Sequence, residues 1–272
     1  MKSAKLLVLG AAVAVVAQVM ATPNAARRAE AEAEAKALFE RLSPNDAISL
    51  LMMNNVPIKE PRIQQHHWWN EGLHGVARAG LATMFPQAIG RAATFDSDLA
   101  RKVGEVTSTE ARAKHTLFRA RGLRGIYTGL TYWSPNVNMF RCAKWGRGQE
   151  TFGEDPYLSG VMGTEFVKGM QGDNQKFLKV AACAKHYAVH SGPEKLRHEF
   201  NVDLDMRDLY EYYLPAFRML VVDGQVEQVM GAYSAVNGIP CCANKFLLRD
   251  ILRGEWGFRG TVVSDVGAVN DV

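Results

Sequence analysis

A chain of 272 residues that is 47% hydrophobic and 22% charged has material for one large core, and a single α/β barrel of about 250 residues fits that length. Neither extended disorder nor a second domain is required. The formal net charge is +4, but Lys2, Lys5, Arg27 and Arg28 lie at the amino-terminal end and the other charges are interspersed. That pattern excludes the clustered basic stripe of a nucleic-acid binder and favours a neutral or weakly charged ligand.

In chain order, Lys2 and Lys5, the apolar run Leu6 to Met20 and the small residues around Ala21 to Ala26 have the layout of a signal peptide over residues 1–26. The run is shorter than the ~20 residues of a spanning helix, and no cysteine follows it as in a lipoprotein. Residues 27–272 are therefore expected to be exported, periplasmic or secreted, with no membrane attachment after signal removal. Ala25 to Arg41, rich in Ala, Glu and Leu, predicts a solvated or linking helix. Ser43-Pro44-Asn45-Asp46 predicts another, with Ser43 as N-cap, running through Leu50 to Met53 and stopped by Asn54 to Pro57.

Four segments read as buried strands: Gly129 to Asn138, Leu178 to Lys185, Gln228 to Ala235 and Thr261 to Ser264. Helical stretches separate them, the clearest being Arg207 to Val222, where Leu209, Tyr212, Tyr213, Phe217 and Leu220 recur at helical spacing before Asp223-Gly224. Strands alternating with helices predict a parallel sheet in an α/β fold, a (β/α) barrel. Chemistry in such a fold sits at the carboxyl ends of the strands, where Arg147, Lys185, His186, Tyr233 and Asp265 fall. Cys142, Cys183, Cys241 and Cys242 have neither the spacing of a disulfide scaffold nor that of a zinc site. Four free thiols are the simpler expectation, with one bridge left open.

Asp265, ending the run Val262-Val263-Ser264, reads as a carboxylate able to attack an anomeric carbon, or as a helix N-cap or turn aspartate. Lys185-His186 offers two donors at another strand end, and equally reads as a snorkelling lysine beside a core histidine. Arg147, between Gly146 and Gly148, can fork onto vicinal hydroxyls or orient a carboxylate. Trp68-Trp69-Asn70-Glu71 pairs aromatic faces, which suit the C–H face of a sugar, with a carboxylate for its hydroxyls; core packing is the other reading of either tryptophan.

Taken in order, Trp69-Asn70-Glu71-Gly72-Leu73-His74-Gly75-Val76, Phe85-Pro86-Gln87, Ser108-Thr109-Glu110-Ala111-Arg112, Trp145-Gly146-Arg147-Gly148-Gln149-Glu150, Lys185-His186-Tyr187-Ala188-Val189-His190-Ser191-Gly192-Pro193-Glu194 and Val262-Val263-Ser264-Asp265 resemble glycoside hydrolase family 3, in its bacterial β-xylosidase-like branch. The resemblance implies a (β/α)8, TIM-like barrel and a retaining exo-β-glycosidase that forms a covalent glycosyl-enzyme. Asp265 matches its nucleophile; Arg147, Lys185 and His186 match residues that bind sugar hydroxyls. Glu71 matches the acidic residue at the sugar's far end and suggests a pentose, with Trp69 beside it. Tyr233 matches a tyrosine near the nucleophile, able to hold Asp265 ionised by a hydrogen bond. The implied partner is an oligosaccharide, xylo-oligosaccharides from hemicellulose first and β-glucosides as the alternative, with no metal and no cofactor.

Three departures bear on geometry. Val266 stands where the family has Trp or Cys, Arg141-Cys142-Ala143-Lys144-Trp145 lacks an Asp-Pro turn, and Ser234 replaces Asn. A retaining glycosidase also needs a second carboxylate about 5–5.5 Å from the first, which most of the family keeps in a second α/β domain. The sequence is thus expected to hold a barrel incomplete at its carboxyl end, with the alternative of a catalytically incomplete sugar-binding fragment. In a single-domain branch a histidine–aspartate pair replaces that acid. His198 falls on the histidine, but Leu196 stands at the aspartate's position, so His198 is expected to lack an orienting carboxylate.

Overall fold

The computed structural model describes residues 23–174 and 176–272, so nearly all of the expected signal peptide, 1–26, lies outside the described residues. Seven strands occur among them: β1 (Thr131–Tyr132), β2 (Ala181–Tyr187), β3 (Asn201–Val202), β4 (Gln228–Gly231), β5 (Ala235–Val236), β6 (Ile239–Pro240) and β7 (Thr261–Ser264). β1, β2, β4 and β7 form one sheet in that order, every pair parallel. This is the arc of a TIM-barrel-like α/β fold, in which each new strand joins the edge of the last. β3, β5 and β6 form a small separate sheet.

Inner and outer faces follow from the two-residue alternation of a strand. Ala182, Ala184 and Val229 face the helices and join Phe166, Val167, Met170, Phe217 and Leu220 in the main core. Cys183, Met230 and Val263 point inward, where they meet Trp133, Trp68 and Trp69. The helices are α1 (Pro23–Phe39), α2 (Pro44–Ser49), α3 (Ala88–Ala92), α4 (Ser97–Ala120), α5 (Pro156–Gln171), α6 (Met206–Asp208) and α7 (Pro215–Val222). Asp96 caps α4 by accepting from Leu99 N, and Asp155 caps α5 by accepting from Leu158 N, each satisfying an otherwise orphaned donor. α4 and α5 meet backbone to backbone: a Cβ on Gly169 would lie 2.1 Å from the Arg101 carbonyl oxygen, so only glycine permits this approach. α1 is tied down by charge, Arg28 pairing with Glu227 at 3.0 Å and Glu32 with Arg259 at 2.9 Å.

Several predicted elements change shape, each for a local reason. The strand expected over Gly129 to Asn138 keeps only Thr131–Tyr132 in the ladder, because Trp133 N turns away to the Asn70 carbonyl and Pro135 has no N–H to give. Pairing resumes as a single bridge between Asn136 and Lys185. The helix expected over Arg207 to Val222 is broken by a wide turn at Leu209–Tyr213; Pro215 cannot donate, and Leu214 N reaches back to the Leu209 carbonyl at 2.9 Å. α2 ends at Ser49 rather than near Met53, its last turn tightened by Leu51 N on the Ile48 carbonyl and Met52 N on that of Ser49. The Gln228 to Ala235 segment divides into β4 and β5. Thr261–Ser264 is found as predicted, Ala25 to Arg41 lies largely within α1, and all four cysteines are free. α4, the longest helix among the described residues, has no counterpart among the expected elements.

Register is what places the site. Tyr187 pairs with Gly231 and Gly231 with Ser264, so the carboxyl ends of β2, β4 and β7 lie level. Lys185, His186, Tyr233 and Asp265 therefore emerge at one end of the sheet.

Candidate active site

These ends open into a cavity of about 450 Å³ lined by Trp69, Glu71, His74, Arg78, Trp133, Arg147, Glu150, Lys185, His186, Arg197, Tyr233, Asp265 and Val266, among others. All seven sequence-predicted site residues other than His198 line this one space. Asp265 stands one residue beyond β7 and is only 9% exposed. Its Oδ1 accepts from Val266 N at 2.8 Å, while buried Oδ2 has no hydrogen-bond partner. Burial pushes its pKa up, opposed by Lys185, the Val266 N–H, Arg147 and Tyr233. A carboxylate so placed is incompletely solvated and open on one oxygen, free to meet a ligand.

His186 lies 3.6 Å from Oδ2 of Asp265 through its Nε2, and its tautomer follows from Asn138. The Asn138 amide nitrogen donates to the carbonyls of His186 and Ala188 at 2.8 and 3.2 Å, so its oxygen faces the ring and stands 2.9 Å from Nδ1. An oxygen accepts, so Nδ1 carries the proton and Nε2 is left as an acceptor. Burial, then the neighbouring His190, Arg147 and Lys185, hold the His186 pKa well below its ordinary value. The ring is neutral, and Nε2 can accept from a ligand hydroxyl.

Arg147 is forked onto Glu150, Nε to Oε1 at 2.8 Å and Nη2 to Oε2 at 2.7 Å. Burial works against the Arg147 charge, and Glu150's hydrogen bonds and charge more than offset it, raising its pKa. Burial likewise pushes Glu150 up, but Arg147 wins and holds it below the ordinary carboxylate range. Glu150 is therefore occupied in keeping Arg147 charged and oriented. At the opposite wall, Glu71 accepts from Trp69 Nε1 at 2.6 Å and lies 4.0 Å from Lys185 Nζ. Trp69 stacks on Trp133, centroids 5.6 Å apart and planes at 14°, and the indole N–H of Trp133 is buried without a partner.

Tyr233 and His198 differ from expectation. The Tyr233 hydroxyl donates to the Val266 carbonyl at 2.7 Å, so its proton is spent on the backbone of the loop; its proximity still counts among the influences lowering the Asp265 pKa. His198 does have a carboxylate: its Nδ1 lies 3.0 Å from both oxygens of Asp271. The partner comes from the loop after β7 rather than from the position of Leu196. His198 is half-exposed, packs edge-on to Tyr233 at 4.5 Å, and fastens the two loops together outside the cavity lining.

Asn138, Trp133 and Arg197 are the residues missed from sequence. The signal for the first two was available: Trp133-Ser134-Pro135-Asn136-Val137-Asn138 is a polar-interrupted run inside an apolar segment, and buried asparagines there must be hydrogen-bonded to something. Among the described residues, no group of three His, Cys, Asp or Glu side chains could hold a metal ion, and no helix is long and apolar enough to cross a membrane.

Fold and site define the class of parallel α/β-barrel proteins that carry a polar pocket at the carboxyl ends of their strands. Residues 54–272 match the Glycosyl hydrolase family 3 N terminal domain, and the chain belongs to that family. It is 48% identical over 238 residues to a xylan 1,4-beta-xylosidase of Xylanibacter ruminicola, covering 86% of this chain and 28% of that protein. It is 41% identical over 249 residues to beta-D-xylosidase 3 of Arabidopsis thaliana, covering 86% of this chain and 31% of the relative. Among solved structures, a family 3 exo-beta-xylosidase (XlnD) in complex with a xylobiose aziridine probe superposes with TM-score 0.78 at 36% identity, over 85% of this chain and 31% of that one. A β-glucosidase of the same family from Bifidobacterium adolescentis gives 0.71 at 30% identity, over 84% of this chain and 32% of that one. The chain thus spans roughly a third or less of these relatives.

Proposed function

We propose that this chain is the sugar-binding, nucleophile-bearing part of an exported retaining exo-β-glycosidase that releases xylose from xylo-oligosaccharides. The observation that carries the reading is the convergence on one buried carboxylate: Asp265, with Oδ2 unpartnered, faces neutral His186 at 3.6 Å and shares its cavity with the cations of Lys185 and Arg147. In the reaction, Asp265 attacks the anomeric carbon, the bond from that carbon to the leaving oxygen breaks, and a glycosyl ester forms. Water then cleaves the ester and frees Asp265. Lys185 and Arg147 donate to sugar hydroxyls and His186 Nε2 accepts from one.

The other carboxylates in the cavity, Glu71 and Glu150, are engaged with Trp69 and Arg147. The proton for the leaving oxygen is accordingly assigned to the remainder of the full-length enzyme. A pentose is favoured over glucose by Glu71, which the family resemblance assigns to the sugar's far end, where the larger hydroxymethyl group of glucose would have to fit. Names of relatives on both sides, xylosidases and a β-glucosidase, make this the choice to test. The full-length enzyme should turn over aryl xylosides faster than aryl glucosides; the reverse order would replace the xylosidase reading by β-glucosidase. A 2-fluoro-xyloside with a good leaving group should label Asp265 covalently, read by peptide mass spectrometry, and an adduct elsewhere would remove Asp265 from its role.

A further inference from the structure

Arg91 is the misfit of α3. The other buried residues of that short helix are Ala88 and Ala92, yet beside them lies a guanidinium only 2% exposed. Burial lowers its pKa to about 10, which leaves it charged at neutral pH. A cation taken out of water is costly unless an anion meets it. Among the described residues no carboxylate pairs with this one, and its Nε and Nη1 are buried without a hydrogen-bond partner. What compensates the charge is the pair of rings Phe152 and Phe166, at 5.9 and 5.1 Å, which a guanidinium can face with modest gain. Places where a sequence breaks a local rule at such a cost are expected at functional or strained sites.

The hydrogen bond that the Arg91 side chain does make runs to the cavity wall: Nη2 donates to the Leu73 carbonyl at 2.7 Å. Leu73 lines the cavity together with Glu71, His74 and Ala77. There the chain doubles back tightly, Glu71 bridged to Ala77 and Leu73 to Gly75. The turn needs glycine at Gly75, which has φ 115° and where a Cβ would lie 2.1 Å from the Thr83 carbonyl oxygen. Phe85-Pro86-Gln87, a motif otherwise without a place in the pocket, fastens the neighbouring residue. His74 Nδ1 lies 3.0 Å from the Phe85 carbonyl oxygen, which can only accept, so Nδ1 carries the proton and Nε2 accepts from Gln87 Nε2 at 3.4 Å. Phe85, Gln87 and Arg91 thus hold this wall from behind, and Arg91 takes it by the backbone between Glu71 and His74.

We propose that Arg91 is a positioning residue: by holding the Leu73 carbonyl it fixes Glu71 at the far end of the bound sugar, and so sets the preference for a pentose over a hexose. The proposal rests on the reading of the cavity as a xylosidase pocket. Steady-state kinetics of the full-length enzyme on an aryl xyloside and an aryl glucoside test it. Arg91→Met, which fills the space and removes the donor, raises KM for the xyloside about tenfold at nearly unchanged kcat, and lowers the xyloside-to-glucoside ratio of kcat/KM by the same factor. Arg91→Lys, which keeps a donor but not the planar fit between the rings, lowers that ratio about threefold. The lysine variant carries the test by itself where Arg91→Met does not fold. An unchanged ratio in either folded variant, both sugars losing equally as a general loss of stability would give, overturns the positioning role alone. So does a loss confined to kcat. A preference of the unsubstituted enzyme for the glucoside, or turnover of neither sugar, removes the xylosidase reading and this role with it.

Discussion

The carboxyl ends of β2 and β7 face the same cavity and are built in opposite ways. β2 has a neighbour on each side and is buried along nearly its whole length. Its His186 is held at backbone N, carbonyl and ring by Asn138. β7 has one ladder partner, β4, every residue is only partly buried, and Asp265 beyond it keeps one buried oxygen without a hydrogen bond. His186 is held on three sides before a ligand arrives, and Oδ2 of Asp265 is not. An unsatisfied buried group costs stability, so the end of β7 carries a cost that the His186 ring of β2 does not.

The largest expected effect breaks the reactive side outright. Asp265→Ala in the full-length enzyme lowers kcat by about 10⁴-fold, measured by steady-state kinetics on an aryl xyloside. On the satisfied side, Asn138→Ala frees the His186 ring and strands buried donors, costing about 1–3 kcal/mol in denaturant unfolding and about 10²-fold in kcat/KM.

A sharper test contrasts stability with activity. Burial raises the folded pKa of Asp265, so folding favours its protonated form; that contribution is present below the unfolded pKa and lost as pH rises through the folded one. Asp265→Asn therefore stabilises the protein at neutral pH by about 1 kcal/mol while abolishing turnover, and the gain disappears at acid pH in paired thermal melts. Equal or lower stability at neutral pH would contradict the picture of an unsatisfied carboxylate. The smallest effect lies outside the site: Arg28→Ala, undoing the pair with Glu227, costs about 0.5 kcal/mol and less at high salt.

The same contrast decides what the sequence could show. β7 and Asp265 were legible because a short β-branched strand followed by a carboxylate and glycine is a local signal. β1 was overread because its partner, Asn70, lies far away in the chain and diverts Trp133 N. Pairings between distant residues escaped for the same reason: nothing near His198 announces Asp271, and nothing near His186 announces Asn138. Motif order identified which side chains gather; it carried no information on which of their atoms would be satisfied.

The free side of β7 has a consequence for handling the protein. Among the described residues, Thr261, Val262, Val263 and Ser264 pair on one side only, with β4, leaving on the other a β-branched edge of the kind on which other chains add strands. Prepared alone and concentrated, this chain should associate edge to edge and form aggregates, and a charged residue in place of Val262 or Val263 on that edge should improve its recovery in soluble form.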